Sequence, residues 1–519
     1  MWLINTSTIR LEPKPFYEPD VPPYAILSHT WGDDEVDFQA FKDQETAKLK
    51  AGWSKIKNTC EKALCDGLQY AWVDTCCIDK SSSAELSEAI NSMFFWYRQA
   101  AKCYVFLFDF EHGATPEEQF PRCRWFTRGW TLQELLAPRI VLFYDCVWGN
   151  IGDKIQFCHI ISQITKIPKE AILDNVPLAD YSIAQKMSWA ASRVTSRIED
   201  TAYCLLGIFD IFMPLLYGER HRAVFRLQEE ILKNTLDMTL LAWEPTPEDI
   251  LDGFCSFLSR SPASFRSGKN IRRFRRETRS CSMSARGLQF NDKPPARPPP
   301  ERSEYYIMVG KTGKRPNQYL LSVAVTMVGP NLYVRNGHVP LLFELHETDE
   351  KSIKFQPLSF PIHLATTARQ ASVSIKDSLH FQADPKLKIF DALPQNLWDD
   401  AKNLFYDSGN SSLRVLDIRG TFESISMELV VLVIFKNRRP HCYVFDRREY
   451  PEFAAKLLNH LWSGHNECWV PESPHLSELG CHTRISQGET SIAVTAFVHQ
   501  GVIDSVCSKR IWSVSIKLG

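Results

Sequence analysis

Long apolar runs are missing from this 519-residue chain. A membrane-crossing helix needs about 20 consecutive apolar residues, and the longest run near the C-terminus, Leu429 to Phe435, has only the length of a β-strand. The opening Met1-Trp-Leu-Ile-Asn-Thr carries no basic residues ahead of an apolar core. It does not read as a secretory signal, so no membrane span and a cytoplasmic location are expected. An excess of either charge is also missing: 60 Lys and Arg face 61 Asp and Glu, for a net charge of −1. That balance argues against a nucleic-acid partner along the whole chain. Gly-Lys pairs at Gly268, Gly310 and Gly313 all stand outside a G-x-x-x-x-G-K-[ST] frame, so hydrolysis of ATP or GTP is not expected. The 15 cysteines are scattered, with no C-x-x-C pair. This excludes the usual zinc spacings and leaves reduced, mostly buried thiols as the expectation, with no metal. No solenoid or propeller repeat recurs.

Apolar material is plentiful. Hydrophobic residues make up 44% and aromatics 12%, enough for two or three domains. The first 150 residues alternate strand and helix patterns. Strands are expected at Tyr24–His29, Tyr70–Cys77, Cys103–Phe108 and Arg139–Tyr144. Between them lie helices at Ser54–Leu64 (Ile56, Cys60, Ala63 and Leu64 on one face, Gly67 as a stop), after a Ser82/Glu85 capping box, and at Phe126–Leu136. This order predicts an open, mostly parallel α/β sheet over residues 1–150, with helices on both faces. Residues 151–245 read as a helical extension, with segments at 183–192, 200–209 and 219–233 and Asp200 as an N-cap. Residues 246–305 read as a basic and Pro-rich linker, with seven Lys and Arg between Arg266 and Arg279 and the run Lys293–Pro300. From 306 to 519 short β-rich runs recur, at 319–328, 331–335, 372–375, 413–418, 429–435 and 442–445, which predicts a sandwich-like domain.

Three short segments carry the chemistry. They read Tyr24-Ala-Ile-Leu-Ser-His-Thr-Trp-Gly32, Trp72-Val-Asp-Thr-Cys-Cys-Ile-Asp79 and Arg128-Gly-Trp-Thr-Leu-Gln-Glu134. In an open α/β sheet ligands bind beyond the carboxyl ends of the strands. Ser28 and His29 end the first expected strand, and Asp74 to Cys77 end the second. Trp130 and Glu134, four apart, share a helix face. A cleft joining indole rings and a carboxylate suits a flat, partly charged ligand.

These segments resemble the three blocks that mark the heterokaryon-incompatibility (HET) domain of filamentous fungi, in the same order. Lys80 departs from the pattern, since many members carry Gln there. The resemblance continues more weakly through Arg197–Phe209 and Met213–Glu219; the nucleotide-binding and WD-repeat regions of some larger members are not seen. It implies a role in self/non-self recognition and programmed cell death, with other incompatibility or regulatory proteins as partners and a homo-oligomer as one form. The family is distantly similar to Toll/interleukin-receptor (TIR) domains, which implies a flavodoxin/TIR-like sheet and NAD as a substrate, with no bound cofactor.

If the likeness extends that far, Glu134 is the catalytic carboxylate of an NAD glycohydrolase, Trp31 or Trp130 stacks on a ring, and Arg128 pairs with a phosphate. Two other readings stay open. Ser28 or Cys77 with His29 and Asp74 has the composition of an acyl-transfer site, although no G-x-S-x-G elbow surrounds Ser28. Alternatively, the same surface recruits death partners without catalysis. The bland alternatives are equally concrete: Arg128 and Glu134 as structural ion pairs, His29 and Asp74 as loop ties, and Cys77 and Trp72 as core.

Overall fold

The computed structural model describes residues 1–250 and 254–274 continuously and, from 281 to 518, mostly strands with their turns. The N-terminal sheet has seven strands: β1 (Ile4–Asn5), β2 (Arg10–Leu11), β3 (Tyr24–His29), β4 (Tyr70–Trp72), β5 (Lys102–Phe106), β6 (Val141–Tyr144) and β7 (Asn150–Asp153), in the spatial order β2-β1-β4-β3-β5-β6-β7. The β4-β3-β5-β6 core is parallel. The pairs β1–β2, β1–β4 and β6–β7 are antiparallel. The sheet is therefore mixed rather than mostly parallel. Short returns at both edges explain the difference, because parallel neighbours need a long crossover and a few residues can only turn the chain back. All six residues of β3 are buried, so Ser28 and His29 enter the interior with it.

Three elements depart from the patterns that suggested them. The second strand stops at Trp72, and the amides of Cys76 and Cys77 then turn back onto the Val73 carbonyl at 3.2 and 2.8 Å. Asp74 and both cysteines thus lie in a turn rather than on alternate faces of a strand. The helix expected from Phe126 breaks into a 3-10 turn, Arg124–Thr127, and a helix, Thr131–Leu136, with Arg128 extended between them. Val194 causes the break: its N–H donates to Thr127 O (2.7 Å) and its carbonyl accepts from Gly129 N–H (3.0 Å). Beyond it, the expected 200–209 helix is two short ones, Asp200–Tyr203 and Leu206–Phe209, and Asp200 caps neither.

The long helices follow the apolar spacing more closely. Trp53–Cys65 buries Ile56, Cys60 and Ala63, although Leu64 faces out. Ser83–Gln99 buries Ile90, Met93 and Tyr97. Ser82 Oγ accepts from Glu85 N–H, while the Glu85 carboxylate accepts from Asp79 N–H and leaves the box half formed.

Residues 262–270 form a 3-10 helix whose Gly268 lies against Ala184. Lys293–Pro300 and the strand expected at 372–375 fall outside the described residues. The C-terminal part is β-rich. A six-stranded sheet containing Leu379–Ala383, Thr490–Val502 and Arg510–Leu518 shares one apolar core with a four-stranded sheet built around Leu413–Phe422 and Ile425–Lys436. An eight-stranded sheet instead joins the core of the N-terminal region. There the fully buried Arg335 donates to Leu241 O at 3.0 Å and lies 4.1 Å over the Trp243 ring.

Candidate functional site

The carboxyl ends of β3 and β4, the Thr131–Leu136 helix and the 193–217 segment enclose a cavity of about 270 Å³. Its walls include His29, Trp31, Asp74, Lys80, Arg128, Trp130 and Glu134 from the three sequence blocks and their flank, and Ser196, Arg197, Asp200 and Tyr217 from the extension. Seven of the eight residues singled out in the sequence meet here. Ser28, beneath the floor, joins through its hydroxyl, which donates to Glu134 Oε2. Cys77 is the exception. Its Sγ accepts from Val73 N–H at 3.4 Å, and it lines a separate cavity beside Met1, Trp2 and Glu85.

Glu134 is 6% exposed. Burial, the largest influence, pushes its carboxyl up to about 8, and the neighbouring Asp74 adds to the rise. The Ser28 hydrogen bond, Arg193 and Arg128 oppose it. Ser28 Oγ in turn accepts from the buried Trp125 indole N–H at 2.7 Å. The chain Trp125–Ser28–Glu134 fixes the carboxyl from below.

On one side, Trp31 Nε1 donates to Asp74 Oδ2 at 2.7 Å, and the Lys80 ammonium sits 3.7 Å from the Trp31 ring centre. On the other, Asp200 accepts from Trp130 Nε1 (3.3 Å) and Tyr217 OH (3.0 Å), and the Arg197 guanidinium lies 4.5 Å over the Tyr217 ring. The pocket is thus flanked twice by a cation on an aromatic face whose polar edge holds a carboxylate. Burial raises the Asp200 carboxyl against these two donors. Arg128 Nη1 donates to Ser196 Oγ at 3.0 Å. Among the described residues neither Lys80, Arg128 nor Arg197 forms an ion pair with a carboxylate.

His29 stands between two carboxylates, Nδ1 3.7 Å from Asp74 and Nε2 3.8 Å from Glu35, both too far for a hydrogen bond. Its Nε2 and Asp74 Oδ1 are buried without a hydrogen-bond partner among the described residues. Glu35 belongs to the adjacent loop. Burial would raise its carboxyl, but His29, the Gly32 N–H and Lys55 outweigh that and hold it down at about 2.

Sequence reasoning missed the extension's contribution. Asp200 was expected to cap a helix, yet it ties two ring donors at the pocket wall. Arg193, half-buried, donates to Arg128 O (2.7 Å) and Thr131 Oγ1 (2.9 Å), and so clamps the third block to the extension. The available signal was the weaker continuation of the family resemblance through Arg197–Phe209 and Met213–Glu219, which contains Arg197, Asp200 and Tyr217.

A family model described as Heterokaryon incompatibility protein (HET) matches residues 24–112. Vegetative incompatibility protein HET-E-1 of Podospora anserina is 49% identical over 224 residues, which cover 41% of this chain and 16% of that protein. The chain therefore spans well under a fifth of that relative's length. No solved structure matches it. Among the described residues no helix is long and apolar enough to cross a membrane. Three blocks in order, their side chains drawn to one pocket, and these two matches identify the N-terminal part of this chain as a heterokaryon-incompatibility domain.

Proposed function

We propose that this protein acts in vegetative incompatibility as an effector of self/non-self recognition and cell death, and that its pocket cleaves the N-glycosidic bond of NAD upon assembly. One observation carries the reading: a buried carboxyl, Glu134, faces a cavity with indole walls, three cations without carboxylate partners, and two unpartnered buried polar atoms. An aromatic, phosphate-bearing, partly cationic ligand matches each of these groups. Arg128 would take a phosphate and Trp130 a ring face.

Glu134 would bind the ribose next to the bond that breaks. At neutral pH its raised affinity for protons keeps it largely protonated, and the pyridinium charge of the substrate would favour release of that proton. The resulting carboxylate would stabilise the oxocarbenium-like state as nicotinamide leaves and water attacks the anomeric carbon. The spatial order of the four parallel strands, second-first-third-fourth in chain order, is that of flavodoxin-like sheets and supports the TIR-like comparison.

A non-catalytic recruiting module is the second reading. Phe212, Leu216 and Val194 are 71, 52 and 65% exposed on segments flanking the pocket, an arrangement suited to protein contacts. The acyl-transfer reading gains nothing from the geometry: Ser28 Oγ is engaged by Trp125 and Glu134, and His29 bonds neither Ser28 nor Cys77.

The decisive experiment expresses the full chain, wild type against Glu134→Gln at matched levels, and follows cellular NAD and viability. NAD depletion and death that both vanish in Glu134→Gln support cleavage. Death with NAD intact supports recruitment instead.

A further inference from the structure

Trp31 is the most exposed ring of the pocket at 45%, yet one of its faces is already occupied. The Lys80 ammonium lies 3.7 Å from the ring centre, while the ring's edge is anchored by donation from Nε1 to Asp74. A lysine ammonium is a compact, strongly hydrated charge on a flexible stem. On an exposed residue it ordinarily reaches a carboxylate where one is near. Here Asp74 accepts from the indole, and Lys80 has no hydrogen bond or ion pair to any described residue. Partial burial lowers its proton affinity against the pull of Asp74 and its other acidic neighbours. The electron-rich ring face holds it, as such faces hold flat organic cations.

We propose that Lys80 and the flat cationic ring of a ligand compete for the same face of Trp31, and that the displaced ammonium pairs with a phosphate of that ligand. The proposal rests on the reading of the pocket as a pyridinium-nucleotide site and deepens it, because it makes the phosphate a condition of tight binding. A pyridinium riboside must evict Lys80 and offers the ammonium nothing in return. A pyridinium ribotide replaces the ring contact by an ammonium–phosphate contact, the stronger of the two. The pocket is therefore selective for the phosphorylated member of the pair, and Lys80 is a specificity-determining residue.

The test is calorimetric binding of nicotinamide riboside and nicotinamide mononucleotide to the full chain, as wild type, Lys80→Met and Lys80→Arg. The two probes differ only in the phosphate. Lys80→Met should weaken the mononucleotide about tenfold, as loss of one charge-assisted contact does, and leave the riboside as tight or tighter. Lys80→Arg, which retains the charge, should keep the preference for phosphate. Equal losses for both probes in Lys80→Met would make Lys80 structural and overturn the proposal while leaving the pyridinium reading intact. Unchanged affinities for both probes would also overturn the proposal alone. Binding of neither probe to the wild type would overturn both.

Discussion

The Ser28 hydroxyl donates to the Glu134 carboxyl across a sequence separation of 106 residues, and its own oxygen is held by the Trp125 indole. One small side chain at the end of the central strand thereby fixes the position of the pocket's buried acid and opposes the rise in proton affinity that burial causes.

Ser28→Ala should act on both partners. The hydrogen bond lowers the Glu134 proton affinity, so its loss moves the carboxyl's titration above about 8. The Trp125 N–H loses its acceptor in a buried site, which costs about 1–3 kcal/mol. Denaturant unfolding reads the second effect. The pH dependence of NAD binding reads the first, as an alkaline displacement of the midpoint.

Two carboxyls near the pocket have opposite linkage to pH. Glu134 binds its proton more tightly folded (about 8) than unfolded (4.5). The folded state therefore holds more protons between these values, and stability falls as pH rises through that window. Glu35 is held at about 2, so its contribution is present above 4.5 and is lost as pH falls toward 2. Glu134→Gln should gain stability over wild type from pH 5 to 8, on the order of a few kcal/mol. Glu35→Gln should lose stability at neutral pH, and its deficit should shrink below pH 4. Melting temperatures of the three proteins from pH 3 to 9 decide this; parallel curves would refute both assignments.

Tyr217 OH and Trp130 Nε1 share Asp200, whose carboxyl is mostly buried. Tyr217→Phe should cost about 1.5–3 kcal/mol for one lost bond to a charged acceptor. It should also speed amide exchange in 196–200, because the Asp200 carboxylate is then held by the indole alone. Exchange confined to the chain termini would contradict this.

Gly129 permits a close approach between the third block and the extension. A Cβ there would lie 2.4 Å from Thr195 Cγ2 and 3.2 Å from Cys204 Sγ. Gly129→Ala should destabilise by about 1–3 kcal/mol through overpacking. Thr195→Ser removes the offending methyl and keeps the hydroxyl that donates to Arg197 O, so the double variant should recover most of the loss. A failure to recover would place the cost in the backbone rather than in this contact.

Much of the architecture was legible from local pattern. The apolar spacing of Ile56, Cys60 and Ala63, or of Ile90, Met93 and Tyr97, marks two helices because each must bury one face. The continuously apolar run Cys103–Phe108 marks a central strand, because such a strand is buried on both faces. The boundaries at Trp72 and Arg128 were not legible. Both are set by backbone hydrogen bonds, within the turn at Val73 and to Val194, that local propensity does not encode.

The amino-acid sequence by itself determined the strand and helix alternation, the three polar blocks, and the place of Ser28 and His29 at the end of the first long strand. All of these follow from spacing along the chain. Tertiary structure alone decided that Glu134 bonds Ser28, that Cys77 faces another cavity, and that Asp200, Arg197 and Tyr217 complete the pocket. The reason is physical: a carboxyl's proton affinity, a ring's accessible face and a cation's lack of a partner depend on neighbours distant along the chain, as Ser28 is 106 residues from Glu134 and Trp31 is 43 from Asp74, and on the water excluded when they meet.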